Sequence, residues 1–204
     1  MPALPPTPPA GEPELEPALL TRTSREILGE RPLPRLLQRR PTVFLLGAAG
    51  VGKRTLAARL LPPSALVLDA DQLRRELTAA GRNRKWSEEI SEAPGLFLAG
   101  LDCLHRRHGA LRLLGELLRG RCLSGRKTAL SQGPADTSVT LLYPELTPEC
   151  RVTVLLRFPV GGGRRRFVRE ACLARGIAPD RAGAAVHLSD WSYSAVERFL
   201  DQLA

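Results

Sequence analysis

The stretch Phe44-Leu45-Leu46-Gly47-Ala48-Ala49-Gly50-Val51-Gly52-Lys53-Arg54-Thr55 constrains this chain more than any other. An apolar run that enters a glycine-rich turn and leaves through a lysine is built to wrap a phosphate. Gly47, Gly50 and Gly52 remove the side chains that would keep backbone N–H groups from curling around an anion, and Lys53 adds a point charge at the outer phosphate oxygens. The segment that follows, Arg54 to Leu61, is predicted to be a helix whose N-terminal dipole faces the same anion. The whole loop, Gly47, Ala48, Ala49, Gly50, Val51, Gly52, Lys53, Arg54 and Thr55, is therefore the candidate cofactor-binding segment, and the expected cofactor is ATP or ADP.

The pattern G-x-x-x-x-G-K-[ST] is met at seven positions and fails at the eighth, where Arg54 replaces the hydroxyl residue that ligands Mg²⁺. Thr55 is the hydroxyl left as a metal candidate, but one residue along a helix is a rotation of about 100°. Nucleotide binding and Mg²⁺-dependent hydrolysis are thus separate questions.

The remaining composition narrows the class. No window of about 18 uncharged apolar residues occurs, and no basic segment followed by an apolar one opens the chain, so a cytoplasmic protein without membrane contact is expected. Net charge is +9, carried by 27 arginines and three lysines, which makes nucleic acid or an acidic partner a candidate. Cys103, Cys122, Cys150 and Cys172 show no C-x-x-C spacing, and buried free thiols are expected rather than a zinc site or a disulfide.

Residues 1–20 hold seven prolines and almost no periodic hydrophobics, which reads as a disordered, partly polyproline tail. Leu33, Leu36 and Leu37 predict a short helix. Strands are predicted at Thr42–Leu46, Ala65–Leu68, Gly95–Ala99, Lys127–Leu130 and Val152–Leu156. Helices are predicted between them, among them Asp71–Ala80, broken at Gly81, and Ala110–Arg119. That alternation implies an α/β fold, a P-loop parallel sheet with helices on both faces and ligands at the carboxyl ends of its strands. From Arg164 onward only helical spacing is seen, so the domains read as a tail at 1–20, a P-loop domain at 21–158 and a small helical lid at 159–204.

With these elements in order, the chain resembles the AAA+ ATPase module of the bacterial replication initiator DnaA and its regulator Hda. The likeness spans roughly residues 40 to 204. It rests on the phosphate loop, on Leu68-Asp69-Ala70-Asp71-Gln72-Leu73, on Leu130-Ser131-Gln132-Gly133-Pro134, and on Pro159, Arg164, Phe167, Val168 and Arg175-Gly176-Ile177 as the start of a lid. The resemblance places Gln132 at a polar catalytic sensor position and Asp102 as the displaced candidate for a catalytic, metal-binding carboxylate, since Gly100 and Leu101 occupy the family's carboxylate segment. The arginine-finger segment falls at Leu146 to Arg151, with Glu149 near the finger and Arg151 shifted, and the lid's sensor arginine falls at about Ser194.

Losing a metal hydroxyl, a metal carboxylate and a finger together implies weak or absent turnover, because a finger alone is worth roughly 10³ to 10⁵ in rate. The chain also ends where the lid ends, without the DNA-binding domain that the initiator carries. The resemblance therefore implies a regulatory module acting through a protein partner, with self-association left open.

Two rival readings stand beside it. Asp69 or Asp71 as a general base with Arg74 as a phosphate ligand fits a small-molecule P-loop kinase, and helix capping is the plain account of the same aspartates. A scaffold with a vestigial nucleotide site is the other. Trp86 beside Lys85 fits either a base-stacking residue or a core tryptophan, and His105, His108 and His187 have no partner that assigns them chemistry.

Overall fold

The computed structural model describes residues 20–22, 40–133, 142, 145–189 and 191–203. The expected tail up to residue 19, the helix around Leu33, Leu36 and Leu37, and Pro134 lie outside these residues. Six strands form one sheet: β1 (Leu20–Arg22), β2 (Thr42–Leu46), β3 (Leu66–Leu68), β4 (Gly95–Leu98), β5 (Lys127–Gln132) and β6 (Arg151–Leu156). Their spatial order is β1-β6-β2-β5-β4-β3, and every neighbouring pair is parallel. β2 is flanked by β5 and β6, with Thr42 opposite both Thr128 and Arg151. This is the P-loop α/β sheet that the alternation predicts, extended by β1, a three-residue edge strand too short to show any alternation.

Strand periodicity divides the core into two faces. Phe44, Leu96, Leu98 and Leu130 point into a layer formed with helices α2 (Ala70–Asn83) and α4 (His108–Leu123). Val43, Leu45, Phe97, Ala129 and Val154 pack on the other face against Leu56 and Ala57 of α1 (Lys53–Leu60). Strands buried on both faces read as continuous apolar runs, as these do.

Helix α2 runs through Gly81 rather than stopping there. An interior glycine costs about 1 kcal/mol against alanine, and burial of Leu73, Leu77 and Ala80 outweighs it. The helix ends instead at Arg84, which takes the left-handed conformation at φ +52°. A short helix α3 (Glu88–Glu92), capped by the Ser87 hydroxyl, leads into β4. Arg121 of α4 is buried and donates to Thr128 Oγ1, Ile90 O and Lys127 O, each at 2.9 Å, tying α3, α4 and β5 together. Burial, with Arg126 nearby, pushes its guanidinium down to about 10.

The cysteine expectation is corrected in part. Cys122 of α4 and Cys150, just before β6, form a disulfide across a Cα–Cα distance of 6.1 Å, while Cys103 and Cys172 are free thiols. Spacing along the sequence misses the pair because the topology carries Cys150 to the sheet end beside the end of α4.

After β6 the described chain is helical: α5 (Gly162–Ala174), a 3₁₀ segment (Pro179–His187) and α6 (Tyr193–Asp201). These pack around Val168, Cys172, Ala185, Trp191, Val196 and Leu200 as a third apolar cluster. Phe158, Phe167, Trp191 and Tyr193 meet edge to face, the closest pair being Phe167 and Tyr193 at 4.7 Å between ring centroids. Among the described residues no helix is long and apolar enough to cross a membrane.

Candidate functional site

The glycine-rich loop leaves β2 at the carboxyl end of the sheet, between the ends of β5 and β6. Gly47, at φ +151°, donates its N–H to Gln132 O at 3.1 Å. A Cβ on Gly47 would stand 2.6 Å from Leu156 O, so only glycine allows the backbone to pass so close. Val51 is buried and anchors the loop in the α1 face of the core. Gly52, at φ +88°, opens α1 without any side-chain cap, which leaves the first N–H groups of the helix for another acceptor.

Lys53 Nζ donates to the carbonyls of Gly47 and Ala48, at 2.5 and 2.8 Å, and so bridges its own loop. Burial pushes the Lys53 ammonium below the usual lysine range, and the negative charge of Asp102 opposes that shift. The lysine therefore faces the cleft as a partly desolvated cation, the state in which a charge interacts most strongly with an incoming anion.

The cleft beside this loop has a volume of about 940 Å³. One wall is the loop and the start of α1, where Arg54 and Thr55 both reach the lining. The sheet ends contribute Ala99, Gly100, Asp102 and Ser131, and the helical segment contributes Glu170, Arg175, Ser194 and Glu197. A second cavity of about 610 Å³ lies on the other side of Gly50, where Arg164 stacks 5.0 Å above the Trp191 ring.

Asp102 is exposed in a 3₁₀ turn (Leu101–Leu104) that Gly100 opens at φ +75°. Its carboxylate accepts from the Gly133 N–H, at 2.9 and 3.1 Å to its two oxygens. The preceding Gly100 N–H donates to Ser131 Oγ at 3.1 Å. The turn that follows β4 is thus fastened to the end of β5, and Asp102 shares the cleft with Lys53.

Gln132, expected at a polar sensor position, ends β5 beside the loop rather than in the cleft wall. It is buried and absent from the cleft lining, and its carbonyl serves the loop, while Ser131 faces the cleft. The period of two along β5 puts adjacent residues on opposite faces, so an assignment off by one residue selects the wrong side. Ser131 is the residue that sequence reasoning missed, and the alternation of β5 is the signal that identifies it. Ser194 lies in the cleft where the resemblance puts it, and Glu197, one turn further along α6, joins it.

The donor set does not build a protein-held Mg²⁺ site. Ala99 and Gly100 bring no carboxylate, Arg54 stands where the pattern has a hydroxyl residue, and both oxygens of Asp102 accept from the single Gly133 N–H. Mg²⁺ is held in such sites by one or two carboxylates with substrate phosphates, and among the described residues no group of three metal-ligating side chains occurs.

Other candidates lie elsewhere. Arg151 begins β6 at the opposite end of the sheet from the cleft. Asp69 caps α2, accepting from Asp71 N and Gln72 N while the Gln72 side chain accepts from the Asp69 N–H. Asp71 pairs with Arg74 at 3.0 Å. Their strand, β3, is separated from β2 by two others. Trp86 is a core residue donating to Leu113 O.

No protein-family profile matches the sequence, and no curated protein matches it. Solved structures do. Domain III of the replication initiation protein DnaA from Thermotoga maritima is similar at a TM-score of 0.65 and 13% identity, over 88% of this chain and 80% of that one. A replication initiator DnaA bound to AMPPCP and single-stranded DNA is similar at 0.64 and 13%, over 89% of this chain and 59% of that one. A RuvB variant from Thermotoga maritima is similar at 0.59 and 16%, over 89% and 60%. The chain spans 58% of the length of a DNA replication initiation factor and 59% of the AMPPCP- and DNA-bound DnaA chain that it matches. The chain shares the fold of these structures, a parallel α/β sheet with a phosphate loop, followed by a helical segment.

Proposed function

We propose that this chain is a nucleotide-binding regulatory module that holds ATP or ADP in the cleft between the phosphate loop and the helical segment. The observation that carries the reading is Lys53: it projects from the first turn of an uncapped helix into a cleft of about 940 Å³, on a loop shaped by three glycines. Backbone N–H groups of the loop take the phosphates. Lys53, released from the Gly47 and Ala48 carbonyls, takes their outer oxygens, and Arg54 and Thr55 stand at the same wall.

Hydrolysis is weak or absent in this reading. Attack on a terminal phosphate needs charge compensation and a positioned water. The cleft brings one carboxylate from the sheet ends, Asp102, which is engaged by Gly133. Ser194 stands where the family carries a cation. The module acts through a protein partner in a cytoplasmic setting. Nucleic acid is a second partner, supported by the +9 charge and by a structural neighbour bound to single-stranded DNA. The kinase reading is weaker, because Asp69 and Asp71 are spent on capping and pairing at α2.

The test is calorimetry of ATP and ADP with and without Mg²⁺, on the wild type and Lys53→Ala, with phosphate release assayed on the same samples. Binding that needs Lys53 but little Mg²⁺, without turnover, supports the reading. Mg²⁺-dependent turnover sinks the inference from the donor set, and no binding leaves a scaffold with a vestigial loop.

A further inference from the structure

The outer face of α5 carries a charge arrangement that its own fold does not account for. Arg165, Arg166 and Arg169 are exposed, and at about 100° per residue they fall within roughly one quadrant of the helix surface. Among the described residues none of the three has a carboxylate or hydrogen-bond partner. Some helical arginines elsewhere are paired, Arg74 with Asp71, Arg112 with Glu116 and Arg119 with Glu145, whereas on α5 three exposed arginines stand together.

Their position is also electrostatically adverse. Arg164, Arg165 and Arg166 sit in the first turns of α5, at the positive end of the helix dipole, where acidic residues stabilise and cations do not. No acidic residue stands in that turn, and no side chain caps it. Like charges at i, i+3 and i, i+4, here Arg166 with Arg169 and Arg165 with Arg169, repel as well. Arg164 is occupied, donating to Pro159 O and stacking on Trp191, but the other three face solvent. A local arrangement that works against the helix points to a compensating group from outside.

We propose that Arg165, Arg166 and Arg169 form a docking ridge for the phosphate backbone of a nucleic acid strand. This rests on the nucleic-acid part of the proposed function and gives it a surface. The rise from Arg165 to Arg169 is roughly 6 Å, so the long guanidinium side chains of one ridge can reach neighbouring phosphates of a single strand. Guanidinium groups bind phosphate oxygens through two parallel hydrogen bonds, a geometry that ammonium groups lack. The turn ahead of the ridge is open, since a Cβ on Gly161 or Gly162 would meet nothing within 4 Å, and a backbone can approach it. Leu173, one turn on from Arg169, and Val160, in the turn ahead of the helix, are the exposed large apolar residues beside the ridge among the described residues.

The experiment is fluorescence anisotropy of a labelled 25-nucleotide single strand with the full chain, from 50 to 300 mM salt. It compares the wild type with Arg165→Gln/Arg166→Gln/Arg169→Gln and with a control of equal charge change, Arg59→Gln/Arg75→Gln/Arg82→Gln. The ridge variant is expected to bind at least about tenfold more weakly at 100 mM salt, and its slope of log K against log salt to fall by about two. The control is expected to stay within about threefold. The ridge variant should melt at or above the wild-type temperature, which separates lost contact from lost fold. If ridge and control variants bind alike, the ridge is overturned while nucleic-acid binding stands. If the wild type binds no strand even at 50 mM salt, the partner reading falls and the ridge falls with it. Displacement of the strand by polyglutamate at equal charge concentration would overturn the assignment in favour of an acidic polypeptide.

Discussion

A Cβ on Gly50 would lie 2.7 Å from the Cβ of Ser192, so the phosphate loop meets the N-cap of α6 through a residue that has no side chain. Gly50 also holds φ at +74°, where other residues are strained. Gly50→Ala is therefore expected to cost about 1–3 kcal/mol and to weaken nucleotide binding by moving the helical segment off the loop. Urea unfolding with and without ATP measures both effects. Adding Ser192→Gly, which sacrifices only a few tenths of a kcal/mol of capping, should recover the steric part and leave the φ strain. A double variant no better than Gly50→Ala would refute the contact.

Asp102 raises the Lys53 pKa against the larger, lowering effect of burial. Asp102→Asn should therefore make Lys53 lose its proton at a lower pH, and nucleotide affinity should begin to fall at a lower pH than in the wild type. Stability of the free protein runs the other way. The unfolded chain keeps its Lys53 proton up to about 10.5, so between the lowered folded value and that point unfolding takes up protons and stability rises with pH. Calorimetry and thermal melts across pH 7 to 10 check the two opposed slopes; parallel slopes would remove Lys53 as the titrating group.

Asp69→Ala removes the carboxylate half of a capping box, the acceptor for Asp71 N and Gln72 N, and is expected to destabilise the protein by about 1 kcal/mol. Nucleotide affinity should stay within about twofold, because the capped helix is two strands removed from the loop's strand. A large loss of phosphoryl transfer in this variant would restore the kinase reading.

Cys150→Ser opens a covalent loop whose ends are 28 residues apart. The chain-entropy account gives about 3–4 kcal/mol for a loop of that size. Reductant should lower the wild-type unfolding midpoint to that of the variant and leave the variant unchanged. An insensitive wild type would mean that the two thiols are not joined in solution.

Much of the sheet was legible because its strands are apolar runs bounded by turn residues, and the loop was legible because glycine spacing and Lys53 carry their chemistry locally. The end of α2 was not: Gly81 reads as a stop, and only the burial of Leu77 and Ala80 shows why the helix continues. Ser131 was passed over for Gln132 because a one-residue shift along a strand changes its face. The Cys122–Cys150 pair and the buried Arg121 depend on elements far apart in sequence, and no local pattern encodes such meetings.

The strand order also fixes when the phosphate loop can exist. Thr42 to Leu46 must be joined by Lys127 to Gln132 on one side and by Arg151 to Leu156 on the other. Until residue 156 has left the ribosome, the strand that carries the loop has an open flank, and such distant pairings form slowly. In the proposed reading nucleotide can therefore be held only once β6 is in place, and a nascent chain halted before β6 would present the same glycines without the flank that shapes them.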